Sequence, residues 1–164
     1  MSRHDHILHR VNLLWPVRHD VAPPGPGEVH VWCARQDCPA TDAGDVPRVL
    51  SADEQSRAAR FRSGELRRRF VGSRMVLRTI LGRCLGIAPD RVVFETDARG
   101  KPRLRHGSGL CFNLSHSADL MLLAVSGGVD LGVDLERIRP MNDALGIAQR
   151  FFTPREAVWL AEQE

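Results

Sequence analysis

The sequence contains no tyrosine and only 5% aromatic residues, so it lacks the stacking platforms on which sequence-specific RNA readers depend. None of its four cysteines, Cys33, Cys38, Cys84 and Cys111, belongs to a CxxC pair. Neither a zinc knuckle nor a disulfide framework is indicated, and reduced, mostly buried thiols are expected. No apolar run approaches a membrane span, and Met1 to Asp20 mixes His, Arg and Asp where a secretory signal needs an uninterrupted apolar stretch. A soluble cytoplasmic protein without a membrane partner is the expectation. His4, His6 and His9 around Asp5 read as a polar terminus rather than a metal cluster. Internal repeats and low-complexity tracts are also missing.

What is present suffices for a core. With 164 residues, 43% hydrophobic and 26% charged, the chain can build one compact domain, or one and a half small lobes. Its net charge of +3 is modest, but arginine is concentrated between Arg57 and Arg83. Pro23-Pro24-Gly25-Pro26-Gly27 marks a linker closing a flexible segment over 1–27, and Val29-His30-Val31-Trp32 alternates as a strand does. Ser51-Ala52-Asp53-Glu54 is a capping box that opens a short helix. After Ser63-Gly64, Leu66, Phe70, Leu77, Leu81 and Cys84 recur at helical spacing up to Gly86. Arg67, Arg68, Arg69, Arg74, Arg78 and Arg83 fill other positions, which predicts an amphipathic helix with a cationic side. Standing alone, that side is most simply a solvated face.

Beyond this helix the spacing predicts a short strand over Arg91 to Glu95, a turn at Asp97-Ala98-Arg99-Gly100 and an extended step at Lys101-Pro102. Leu110 to Asn113, Leu120 to Val125 and Leu131 to Glu136 read as three strands of an antiparallel meander, the last two joined by a hairpin at Ser126-Gly127-Gly128-Val129. Thr153-Pro154-Arg155-Glu156 opens a final helix.

On a strand, Asp134 and Glu136 would present two carboxylates side by side. Such a pair repels itself unless a cation sits between, and Mg²⁺, which takes one or two carboxylates together with phosphate oxygens and water, is the usual partner. The bland alternative is a pair of exposed acids balanced by Arg137 and Arg139. Ser115 and His116, being adjacent, point to opposite faces of a continuing strand, which argues against a serine nucleophile activated by its neighbour. Both suit phosphate binding better, with Lys101 adding a point charge.

Taken in order, Leu50-Ser51-Ala52-Asp53-Glu54, Arg60-Phe61, Gly100-Lys101-Pro102, Phe112-Asn113-Leu114-Ser115-His116-Ser117, Gly132-Val133-Asp134-Leu135-Glu136 and Arg150-Phe151-Phe152-Thr153 closely resemble the Sfp-type 4′-phosphopantetheinyl transferases. The resemblance runs from about Leu50 to Leu160 and places the chain in the holo-acyl-carrier-protein synthase superfamily as an amino-terminal portion. It implies an α+β fold, an antiparallel sheet with packed helices, as the first lobe of a two-lobed pseudo-dimeric architecture. That lobe would span 28–130, with an incomplete second lobe over 131–164. It implies an Mg²⁺-dependent transferase that moves the 4′-phosphopantetheine arm of coenzyme A to a serine of an apo acyl or peptidyl carrier protein, releasing 3′,5′-ADP. Asp134 and Glu136 then correspond to catalytic, Mg²⁺-binding acids. Arg57, Arg69, Lys101, Pro102, Ser115 and His116 correspond to positions that bind the coenzyme, which accounts for the arginines better than nucleic acid does.

The chain departs from that pattern in one place. The family's W-x-x-K-E-A helix, which supplies a third acid and a lysine, is missing, because Trp159 is followed by Leu160, Ala161 and Glu162. The resemblance therefore predicts a truncated chain impaired in transfer, with part of its apolar surface uncovered. The alternative readings are a non-catalytic module binding coenzyme A or 3′,5′-ADP and, less in keeping with the motifs, a basic nucleic-acid binder.

Overall fold

A computed structural model describes residues 21–36, 49–98, 100–105 and 108–163. The histidines of the amino terminus, Cys38 and most of the 1–27 segment lie outside the described residues. The elements are β1 (Val29–Arg35), α1 (Ala52–Ala59), α2 (Gly64–Leu85), a 3₁₀ turn (Pro89–Arg91), β2 (Phe94–Thr96), β3 (Pro102–Leu104), β4 (Leu110–Ser117), β5 (Leu120–Gly127), α3 (Ala144–Phe151) and α4 (Pro154–Ala161). The fold is α+β with antiparallel pairing, as expected. One sheet has the order β1-β5-β4, and β2 and β3 form a second, two-stranded sheet.

Local chemistry explains where the helices begin and end. Ser51 and Glu54 form the reciprocal capping box of α1, and Thr153 and Glu156 do the same for α4. Ser63 caps α2, which stops at Gly86 in the left-handed conformation (φ 66°) that glycine adopts without a Cβ clash. α2 then lays Leu77, Ile80, Leu81 and Cys84 on Phe112, Met121, Leu123 and Val125 of the sheet, with Val92 and Leu104 closing the layer. Each fully buried side chain of this size stabilises the fold by about 1.5–3 kcal/mol, so this layer is the main source of stability. Phe94 meets Phe112 edge to face at 5.7 Å. A smaller cluster of Leu50, Ala58 and Val71 holds α1 against the start of α2.

Four expectations need correction. The strand anticipated over Arg91 to Glu95 is instead a 3₁₀ turn followed by β2. β4 runs on to Ser117 and turns into β5 through Ala118 and Asp119, with Ala118 at φ 55°. The tight hairpin therefore joins β4 to β5, and Ser126–Val129 leads the chain out of the sheet. At that exit Gly127 passes so close to the carbonyl of Gly25 that no Cβ would fit. Residues 131–136 are extended but form no strand of either sheet, because β5 is already paired on both sides. Finally, Leu66 is 51% exposed, whereas Arg78, assigned to the cationic side, is only 3% exposed.

Arg78 is a structural hub. Its guanidinium donates to Glu54 at 2.6 Å and to the carbonyls of Pro89 and Val92 at 3.0 and 2.9 Å, and lies over the Phe94 ring. It thereby ties α1, α2 and the 3₁₀ turn together. Cys84 is buried and Cys33 half-buried, and burial raises both thiol pKa values. α3 and α4 pack on one another with Ala148 buried, while Ile147, Phe151, Phe152, Val158 and Trp159 remain exposed. No helix among the described residues is long and apolar enough to cross a membrane.

Candidate active site

β4 is an edge strand of its sheet, and its alternation separates two sets of side chains. Phe112 is buried among the core residues, and Leu114 and His116 follow it on that face, with His116 exposed at the strand end. Asn113, Ser115 and Ser117 occupy the opposite face, where the chain returns after β5 as the extended segment 131–137. The Val133 amide donates to Asn113 Oδ1 at 2.8 Å, the Leu135 amide to Ser115 Oγ at 3.1 Å and the Arg137 amide to Ser117 Oγ at 3.0 Å. Residue numbers rise together along both partners, so the segment runs parallel to β4.

Between these attachment points stand the two acids. The Ser115 hydroxyl donates to Asp134 Oδ1 at 2.8 Å. A serine has a single O–H to give, so in this arrangement Ser115 orients the carboxylate and uses the other side of its oxygen to hold the Leu135 amide. Asp134 and Glu136 are exposed, with half-buried Val133 and Leu135 alternating between them. Lys101, the sole lysine of the chain, donates from Nζ to the carbonyl of Leu131 at 3.0 Å and so pins the start of the same segment. Arg103 joins in by bridging Asp97 and Asp130 at 3.2 and 3.1 Å, and these two acids raise its pKa, Asp130 most. Pro102 opens β3 beside Lys101. Glu136 lines an open cleft of about 360 Å³ with Ser117, Ala118 and residues 137–140.

Neither Arg137 nor Arg139 pairs with these acids among the described residues, so the bland reading of a neutralised surface pair gains no support. Two oxygen donors two residues apart suit Mg²⁺, which keeps water and phosphate oxygens for the rest of its octahedron. Among the described residues no group of three or more His, Cys, Asp and Glu is placed to hold a metal by itself. The arrangement could thus anchor a cation that also takes ligands from a bound phosphate.

The remaining predicted residues, Arg57 and Arg69, belong to α1 and α2. Arg57 sits over the Phe70 ring at 5.1 Å and Arg74 at 5.7 Å, with Phe61 tilted against Phe70. Arg69 pairs with Glu65 one helical turn earlier at 2.6 Å. Burial, as its largest cause, lowers the pKa of Arg74, and nearby Glu54 opposes the shift. No hydrogen bond or ion pair joins Arg57 or Arg69 to the acid-bearing segment among the described residues. The structure therefore joins Ser115 to Asp134 and Lys101 to Leu131 of the same segment, with Glu136 two residues beyond Asp134. Sequence reasoning missed the part played by Asn113 and Ser117. The available signal was a small polar residue at every second position, Asn113, Ser115 and Ser117, on a run whose other positions are Phe112, Leu114 and His116.

Comparison with known proteins bears on this geometry. A family model described as the N-terminal part of 4′-phosphopantetheinyl transferases matches residues 41–127, stopping short of the two acids. The 4′-phosphopantetheinyl transferase HetI of a Nostoc species is 48% identical over 132 residues, which cover 79% of this chain and 56% of the relative. The 4′-phosphopantetheinyl transferase psf-1 of Bacillus pumilus is 35% identical over 65% of this chain and 45% of its own length. Sfp of Bacillus subtilis is 27% identical over 65% and 46%. The chain spans about half the length of the curated relatives it matches.

Proposed function

The chain belongs to the 4′-phosphopantetheinyl transferase family, and from that premise we propose that it carries the coenzyme- and metal-binding part of a transferase acting on coenzyme A and an apo carrier protein. In this reading a carrier serine hydroxyl attacks the β-phosphate of coenzyme A. An Oγ–P bond forms, the bridging P–O bond to 3′,5′-ADP breaks, and the hydroxyl proton passes to water or to the departing phosphate. Residues 28–130 are the first lobe and 131–164 the start of a second, and the protein works in the cytoplasm. Asp134 and Glu136 would hold Mg²⁺, which would supply charge neutralisation at the coenzyme's diphosphate. Lys101 and His116 face the coenzyme's phosphates, Pro102 packs beside its nucleotide, and Ser115 contributes through the carboxylate it orients. Arg57 and Arg69 supply positive charge at the adenine and phosphate ends. Positioning and charge neutralisation are what phosphoryl transfer chiefly requires.

The observation that carries this reading is the hydrogen-bonded unit in which Ser115 orients Asp134 while Lys101 grips Leu131 three residues upstream. Its test mixes the purified chain with coenzyme A, Mg²⁺ and an apo carrier protein and follows the carrier by intact mass. Gain of the phosphopantetheine mass is expected, slower than with a full-length relative. No gain where that relative succeeds would leave the second reading, a non-catalytic module for coenzyme A or 3′,5′-ADP. Titration calorimetry detects it as binding that depends on the ligand's phosphates and weakens in Lys101→Ala.

A further inference from the structure

We propose that Asn113 and Ser117 are positioning residues, forming with Ser115 a side-chain ladder that sets Asp134 and Glu136 for a divalent cation. The proposal rests on the reading above that these two acids hold such an ion. Its basis is the register. Asn113, Ser115 and Ser117 occupy every second position of β4 and accept from the amides of Val133, Leu135 and Arg137, every second position of the facing segment. Each rung lies beside an acid. Asp134 falls between the rungs at 133 and 135, and Glu136 between those at 135 and 137.

A neighbouring strand would supply backbone carbonyls to those amides, but here the side chains of β4 reach across instead. An acceptor lost at either outer rung frees the backbone next to one acid and leaves the central Ser115 contact intact. Asp134 thus depends on the first rung and Glu136 on the third. Groups that orient metal-binding carboxylates are typically worth about 10- to 100-fold in cation affinity.

The probe is Mn²⁺ as a paramagnetic stand-in for Mg²⁺, titrated into the intact ¹⁵N-labelled chain while line broadening and amide exchange are followed. In the unaltered protein, broadening should centre on Asp134 and Glu136, and the amides of Val133, Leu135 and Arg137 should be protected. Asn113→Ala should speed exchange at Val133 and Ser117→Ala at Arg137, each by about fivefold or more, and each should weaken Mn²⁺ about tenfold or more. Ser117→Thr keeps the hydroxyl and should restore both properties. If Asn113→Ala disturbs the sheet, Ser117→Ala at the strand end carries the test alone. Faster exchange with unchanged Mn²⁺ affinity would overturn the positioning role while sparing the cation reading, and unchanged exchange would overturn the ladder itself. Failure of the unaltered protein to bind Mn²⁺ at these acids would refute the cation reading and the present inference with it.

Discussion

Arg78 and Lys101 show how differently two cations serve one lobe. The buried guanidinium of Arg78 satisfies Glu54 and two carbonyls at once. Replacing it by alanine takes the donor from two carbonyls and leaves the largely buried Glu54 with only the Ser51 amide and a longer pairing to Arg74, and should cost about 3 kcal/mol. Thermal denaturation should register a midpoint lower by roughly 10 °C, and an unchanged midpoint would contradict the hub. Lys101 is the sole lysine, so apart from the amino terminus an amine-directed acylating reagent has one target. Coenzyme A with Mg²⁺ should slow its modification several-fold, read by peptide mass, whereas adenosine should not. Equal rates with and without the coenzyme would remove Lys101 from the proposed phosphate-binding set.

Among the elements, the capping box of α4 and the turn after α2 make separate predictions. In α4 the Thr153 amide, ahead of its hydroxyl, holds the Glu156 carboxyl below its ordinary value of 4.5. The folded value is thus lower than the unfolded one. The cap's contribution is complete above the unfolded value and is lost as pH falls from about 4.5 through the folded value. Amide shifts and exchange at 156 and 157 should report fraying in that acid range, and Thr153→Ala, which removes the hydroxyl but keeps the amide, should weaken the pH dependence without abolishing it. In α2, a Cβ on Gly82 would lie 2.9 Å from the carbonyl of Ile87 and 3.2 Å from Pro89 Cα. Gly82→Ala must displace the turn whose carbonyl Arg78 uses, so a loss of about 1–3 kcal/mol is expected in denaturant unfolding.

These elements were legible to different degrees. The caps at Ser51 and Thr153 and the stop at Gly86 could be read directly, because each depends on chemistry within a few residues. The end of β4 could not. Polar Asn113, Ser115 and Ser117 interrupt the apolar run without interrupting the strand, and the hairpin uses Ala118 and Asp119 where glycine would have announced it. The acids were found by their spacing, but their setting depends on side chains twenty residues away in sequence. The alternation of Asn113, Ser115 and Ser117 marks one side of that partnership, but nothing in either segment names the other.

At the scale of the molecule, one strong layer between α2 and the sheet coexists with a thinly attached carboxyl-terminal region. Phe151 is 70% exposed, and Phe152, Val158 and Trp159 accompany it on the α3–α4 pair. Apolar surface of this kind promotes association. Sedimentation velocity should show mass increasing with protein concentration, and Phe151→Glu should reduce that increase without shifting the melting midpoint of the lobe. Concentration-independent monomers would show that the helical pair shields itself.

The way residues 131–137 are fastened has an evolutionary corollary. A strand stitched in by its main chain can be moved only by redesigning the sheet. A segment buttoned on through Asn113, Ser115 and Ser117 can be loosened, shifted or re-aimed by point substitutions outside the buried layer of α2 and the sheet. Selection could therefore adjust the acids' geometry and the lobe's durability as two nearly independent traits.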